Sequence, residues 1–215
     1  MTFSIVARDA HSGELAAATA TGGPAVGALV IHGRSRIGAI ATQALTNPLY
    51  GYRGLELLAA GLTAAQTLHL LLQEDPERER RQLLIMDNMG SSAHWSGSLC
   101  GPWFSSVAGV QVAVGGNMLT GDKVLFAMLE AFEKQRTLPL ADRMLAALNA
   151  AQQAGGDARG IRSAALKVWH QRLYADIDLR VDWSDTPLAQ LEEVLRQVRA
   201  PAHADFFRRL PTGHA

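Results

Sequence analysis

Residues 2–21 read TFSIVARDAHSGELAAATAT, and the reading of this stretch decides the fold. Residues 2–8 carry β-branched and aromatic side chains, DAHSG supplies turn chemistry, and residues 14–21 can return as an antiparallel partner. The expectation is a hairpin whose first strand opens at residue 2. Outward from it, after the Gly/Pro stretch TGGPAVG, short apolar runs at 28–32 (ALVIH) and 37–42 (IGAIAT) are separated by GRSR. Their brevity and bounding turns predict buried strands.

The period then changes. In residues 54–73, Leu55, Leu58, Leu62, Ala65, Leu68 and Leu72 recur at three- and four-residue steps, which predicts an amphipathic helix. Gly61 and Thr63 divide it in two, with Thr63 as N-cap. Residues 81–87 (RQLLIMD) return to strand character, NMGS turns into SAHWSG, and 103–114 read as two strands broken at Ala-Gly-Val. Helical periods follow at 123–135 and 139–153, with Pro139 in the first turn of the second helix and Gly155-Gly156 ending it. Strands are expected at 163–169 and 176–181, and a closing helix at 187–198 within a helical appendage spanning about 187–209. Such blocks suit an α+β fold of two antiparallel sheets covered by helix layers, in a single domain over residues 1–215.

Hydrophobic residues make up 48% and charged residues 19%, which describes a folded chain. Twenty Lys+Arg balance twenty Asp+Glu, so the electrostatic footprint of a nucleic-acid binder is missing. The runs RERR at 78–81 and Arg208-Arg209 read as solvated faces. The single Cys100 excludes an internal disulfide and argues for a reducing compartment. Arg8, Asp9, His11 and Glu14 interrupt any signal-peptide plan, and no apolar run approaches 20 residues. A cytoplasmic protein with neither a nucleic-acid nor a membrane partner is expected. The histidines at 11, 32, 69, 94, 170, 203 and 214 never show H-x-x-x-H spacing, and G-x-G-x-x-G is absent, so neither a metal nor another cofactor is expected.

Four places carry candidate chemistry. Thr2 follows the initiator Met and has a small side chain, so removal of Met1 is expected. Thr2 would then hold a nucleophilic hydroxyl beside an α-amine of pKa about 7.7–8.0, a nucleophile and a base in one residue. In GGDARGIRSAAL (155–166), Asp157, Arg159 and Ser163 could bond that amine, or form no more than a helix cap and turn. Gly115-Gly116-Asn117, between a strand and a helix, offers amides to an oxyanion or simply turns the chain. Residues 41–54 (ATQALTNPLYGYRG) read as a loop bearing Gln43, Asn47, Tyr50 and Arg53. Cys100 with His94 lacks the surroundings of a thiol hydrolase and reads as a structural thiol.

Together, TFSIVARD, GAIATQALTNPLYGYRGLELL and AGGDARGIRSAAL resemble a bacterial family of unknown function within the N-terminal nucleophile (Ntn) hydrolase superfamily, over residue 2 to about 183. The resemblance implies a proteasome-like αββα sandwich, four layers with both sheets antiparallel. It also implies catalytic roles for Thr2, for Gly116 and Asn117 at the oxyanion, and for Asp157 and Ser163 beside the amine. Thr21, Gln43, Asn47 and Arg159 are the expected substrate contacts. Proteasome-like relatives also carry an acid on the second strand and a lysine soon after. Residues 14–33 have no acid beyond Glu14 and no lysine, leaving His32, Arg34 or Arg36 as electrostatic substitutes. The leading expectation is hydrolysis of a small linear or cyclic amide. Alternatives are a non-catalytic small-ligand-binding protein on the same fold, or a hydrolase using Ser4 or Cys100. The apolar helices and the C-terminal DFF offer the face of a homodimer, or equally close the core.

Overall fold

The computed structural model describes residues 2–157 and 159–213. Met1, whose removal the Thr2 reading requires, and His214 lie outside the described residues. Six strands form one antiparallel sheet: β1 (Thr2–Arg8), β2 (Leu15–Thr21), β7 (Phe104–Gly109), β8 (Val112–Asn117), β9 (Ser163–Trp169) and β10 (Ile177–Val181), in the order β10-β9-β2-β1-β8-β7. Four more form a second: β3 (Ile31–Arg34), β4 (Gly38–Ala44), β5 (Arg81–Asp87) and β6 (Ser92–Ser96), in the order β3-β4-β5-β6. The helices are α1 (Leu49–Ala59), α2 (Ala64–Glu74), α3 (Lys123–Lys134), α4 (Leu140–Gln153), α5 (Pro187–Val198) and α6 (Pro201–Arg208).

Strand alternation assigns each side chain a layer. On β1, Phe3, Ile5 and Ala7 pack with Val124, Met128 and Phe132 of α3 and Met144 and Leu148 of α4. Val6, on the other face, joins Ala17 and Ala113 against Ala39, Ala41, Leu84 and Met86 of the second sheet. The far face of that sheet gives Ile40, Leu83 and Ile85 to Tyr50, Leu58 and Leu71 of α1 and α2. Strands β2 and β5 are buried at every residue, because both of their faces are covered. The sheets approach closely: a Cβ on Gly115 would stand 3.0 Å from Leu84 Cδ2.

Several elements differ from the expectations. The strand expected at 28–32 begins only at Ile31, because residues 26–28 form a 3-10 turn entered by Ala25 at φ 51°. Helix α1 starts at Leu49 rather than 54, since the Asn47 carbonyl already accepts the Tyr50 amide at 3.1 Å. Tyr50 and Arg53 therefore ride on a helix, not a loop. Thr63 caps α2 as expected, in a reciprocal capping box with Gln66. Pro139 is the N-cap of α4 and lies just outside its first turn. The break between β7 and β8 falls at Val110-Gln111, with Gln111 at φ 59°. The 187–209 appendage is two helices, because Pro201 has no N–H to continue α5. Nor does α5 hang free, since Leu188, Leu191 and Leu195 are buried in the main core.

Candidate functional site

The layer between the sheets is apolar around Val6 and polar toward Thr2. Alternation puts Thr2 and Ser4 on the same face as Val6. Register sets Thr2 opposite Thr21 and Asn117, Ser4 opposite Thr19, and Thr21 opposite Ser163. From the second sheet, Gln43 lies opposite Gln82. These side chains form one buried network. Thr2 donates its hydroxyl to Thr21 Oγ1 at 3.2 Å. Ser4 Oγ lies 2.5 Å from Gln43 Oε1 and 2.8 Å from Thr19 Oγ1. Gln43 Nε2 donates to Gln82 Oε1 at 2.7 Å, and Asn117 Nδ2 donates to that same oxygen at 3.1 Å. Gln82 Nε2 in turn faces Ser96 Oγ at 2.8 Å and the Ser105 and Gly116 carbonyls, each at 2.9 Å. Burying so many polar atoms is tolerable only because each finds a partner.

Thr2 and Asn117 line a cleft of about 270 Å³ at the open end of this layer. Its walls add Leu45 beyond β4, Arg80 before β5, and the 99–101 turn with Cys100. Met118, at φ 54°, closes the side next to Asn117. Arg80 is the one charged side chain among the described residues that line the cleft.

The segment beside Thr21 is clamped from α4. Gly155 and Gly156, at φ 117° and 43°, end that helix and turn the chain into Asp157. The Asp157 carboxylate accepts the Gly22 amide at 2.8 Å through Oδ2 and the Arg159 amide at 2.8 Å through Oδ1. Arg159 closes on it with Nε at 3.2 Å and Nη2 at 3.1 Å, and this hydrogen bonding holds the guanidinium pKa above its usual value. A backbone bridge joins Asp157 to Leu119, just past Asn117. Ser163 donates to the Gly23 carbonyl at 2.7 Å and accepts the Val26 amide at 3.2 Å. Asp157 and Ser163 thus grip the main chain of residues 22–26, and their link to Thr2 runs through Thr21.

Other expected roles need correction. Gln43, expected as a substrate contact, is fully buried, serves the network and does not line the cleft. Asn47 lines a separate cleft of about 430 Å³ with Tyr50 and Asp75. Gly116 is no strand-to-helix turn: it lies within β8, paired with Phe3 and Ser105 on either side. Ser4 is wholly enclosed and unavailable as a nucleophile. The Cys100 thiol donates to the Arg81 carbonyl at 3.2 Å, and burial pushes its pKa up. His94 instead meets Ser106 Oγ at 2.7 Å. His32 contacts the Leu29 carbonyl and the Tyr52 ring, while Arg34 and Arg36 flank the β3–β4 turn, opposite the Gln43 end of β4. None of the three lines the Thr2 cleft; Arg80 is the cation there.

The RERR run also divides by role. Arg81 is buried against Asp75 at 3.0 Å, whereas Arg80 stays at the cleft mouth. Sequence reasoning missed Arg80 and Gln82 as site residues. The one available signal was a lone amide in the otherwise apolar interior of RQLLIMD.

These features define an α+β protein, with two antiparallel sheets and six helices among the described residues and a threonine at the open end of the inter-sheet layer. The chain belongs to the family of unknown function DUF1028, whose model matches residues 2–191. It is similar to the crystal structure of protein SPO2555 from Silicibacter pomeroyi, of the same family, at 34% identity and a TM-score of 0.92, covering 98% of this chain and 95% of that one. Anbu (ancestral β-subunit) from Yersinia bercovieri aligns over 99% of this chain and 100% of its own at 10% identity, with a TM-score of 0.44, too low to support an argument. No curated protein matches the chain.

Proposed function

We propose that the chain is an amidohydrolase of the N-terminal nucleophile type, with layers in the order αββα. The observation that carries this reading is the Thr2 hydroxyl at the polar end of the inter-sheet layer, lining a cleft beside Asn117. Among the described residues, no ionisable side chain hydrogen-bonds that hydroxyl. Its proton therefore goes to the α-amine of Thr2 itself, freed by removal of Met1 and about half neutral near pH 8.

Thr2 Oγ attacks the amide carbonyl, and the amine passes the proton to the departing nitrogen. Asn117 Nδ2 has two hydrogens, and with one engaged by Gln82 the other can serve the oxyanion. Water then releases the acyl group from Thr2. Asp157 and Ser163 act by positioning Thr21 and the loop after it. A cytoplasmic location, one domain over 1–215 and a homodimer belong to the same reading, and fractionation and sedimentation test them. Among the described residues no helix is long and apolar enough to cross a membrane.

A second reading, a non-catalytic small-ligand-binding protein, is favoured by two observations: Asp157 and Ser163 bind main chain, and among the described residues no lysine lines the cleft. Amide hydrolysis by protein lacking Met1, abolished in Thr2→Ala and retained in part by Thr2→Ser, supports the hydrolase. Ligand binding unchanged by Thr2→Ala, without turnover, supports the binding protein.

A further inference from the structure

We infer that the ligand of the Thr2 cleft is a small anionic amide, carrying one carboxylate for Arg80 and one short apolar group. The inference rests on the reading of Thr2 as nucleophile, and concerns what that residue is offered. No carboxylate lines the cleft among the described residues, and its one charged side chain is a guanidinium. That guanidinium is under-used. Its nearest acid, Glu77, stands 3.9 Å away through Oε1, while Glu77 Oε2 is held by Arg81 at 3.0 Å. Among the described residues the Arg80 side chain makes no closer polar contact.

The backbone of Arg80 is nevertheless fixed, its N–H donating to the Glu77 carbonyl at 2.9 Å and its own carbonyl accepting the Leu45 amide at 3.1 Å. A planar fork of five donors on a fixed backbone, its side chain 57% exposed at the mouth of a cleft without acids, suits bidentate capture of a carboxylate. Apolar side chains also stand at the mouth: Leu45, Leu99 and Met118 are 50%, 63% and 42% exposed. The volume of 270 Å³ holds roughly nine water-sized groups at ~30 Å³ each. A substrate the size of N-butanoylglycine fits that space. Its carboxylate meets Arg80 and its alkyl chain meets the leucines, with the amide between them at Thr2.

The test uses full-length protein shown by intact mass to lack Met1. Hydrolysis of N-butanoylglycine is compared with that of neutral N-butanoylglycinamide, and N-propylsuccinamate reports a carboxylate on the acyl side. The expected result is a kcat/KM at least tenfold higher for one carboxylate compound than for the neutral amide. Arg80→Gln should bring that ratio close to one, and Arg80→Lys should restore part of it. Equal rates in the wild type, or an unchanged ratio in Arg80→Gln, overturn the inference while leaving the hydrolase reading intact. If no amide is cleaved, binding of N-butanoylglycine is measured by NMR titration. Binding weakened at least fivefold by Arg80→Gln upholds the carboxylate site although the hydrolase reading falls. Binding that is absent, or indifferent to Arg80, overturns it.

Discussion

Replacing Gln82 by Leu removes the centre of the buried network at nearly constant volume, so its effect can be worked from the contacts. Gln82 Oε1 accepts from Gln43 Nε2 and Asn117 Nδ2, and Gln82 Nε2 faces Ser96 Oγ and the Ser105 and Gly116 carbonyls. In Gln82→Leu the Gln43 amide is left with only the Thr2 carbonyl, at 3.4 Å, in a site closed to water. Asn117 borders the cleft and can turn to solvent. Each stranded buried group costs about 1–3 kcal/mol, and the carbonyls that lose a donor keep a second lone pair for the sheet ladder. With the Gln43 amide the one group stranded, a loss of about 1–3 kcal/mol is expected, a sizeable part of the stability of an ordinary domain. At this chain length that is a fall in Tm of about 2–12 °C. The assay is guanidinium unfolding followed by circular dichroism, with the midpoint shifting at unchanged m, alongside thermal melts. A Gln82→Leu protein melting within 2 °C of wild type would refute the view that the network holds the two sheets together.

Three further outcomes follow from particular contacts. In Gly22→Ala the new Cβ would lie 2.8 Å from both Asp157 Oδ2 and the Gly160 carbonyl, so a loss of about 1–3 kcal/mol is expected, and a change in unfolding free energy below about 0.5 kcal/mol would count against the clamp. Tyr50→Phe removes a 2.7 Å bond to the buried Asp75 carboxylate and should cost about 1.5–3 kcal/mol. Burial alone would raise the Asp75 pKa, but bonds from Tyr50, the Glu77 amide and Arg81 hold it below the usual 3.8, so its stabilisation is present above about pH 4 and lost as pH falls further. Burial and then Asp75 push the Tyr50 pKa well above 10, so that contribution is present below pH 10 and lost above it. The Tyr50→Phe penalty should therefore be greatest between those limits, and a penalty independent of pH would contradict the argument. Cys100, with its pKa raised by burial, should react with iodoacetamide at pH 8 at least tenfold more slowly in native protein than in urea; equal rates would show an open thiol.

How far the sequence carried the argument depended on the range of the forces involved. The β1–β2 hairpin was legible because alternation and turn chemistry are local, and Thr63 was legible because a capping box spans only four residues. The start of α1 was not, since Asn47-Pro48 reads equally as a turn or as a helix start, and packing against the second sheet decides between them. Gln43 read as a substrate contact because its partner Gln82 lies 39 residues away on another strand. Arg80 and Arg81 are indistinguishable in RERR, yet Arg81 points inward to Asp75 while its neighbour faces the cleft. Asp157 and Ser163 lie beside the Thr21 end of β2, but the direction of their hydrogen bonds toward residues 22–26 depends on tertiary geometry alone.

Hydrolysis by Thr2 requires a free amine and a reactive hydroxyl on that one residue. A peptide epoxyketone bearing a small apolar group closes a morpholine ring only where both groups belong to one residue. Intact mass and peptide mapping after its addition therefore test the claim directly. A single adduct on the N-terminal peptide of protein lacking Met1, absent in Thr2→Ala, is the predicted result. Full retention of Met1, or trimmed protein that forms no adduct at Thr2, would contradict it.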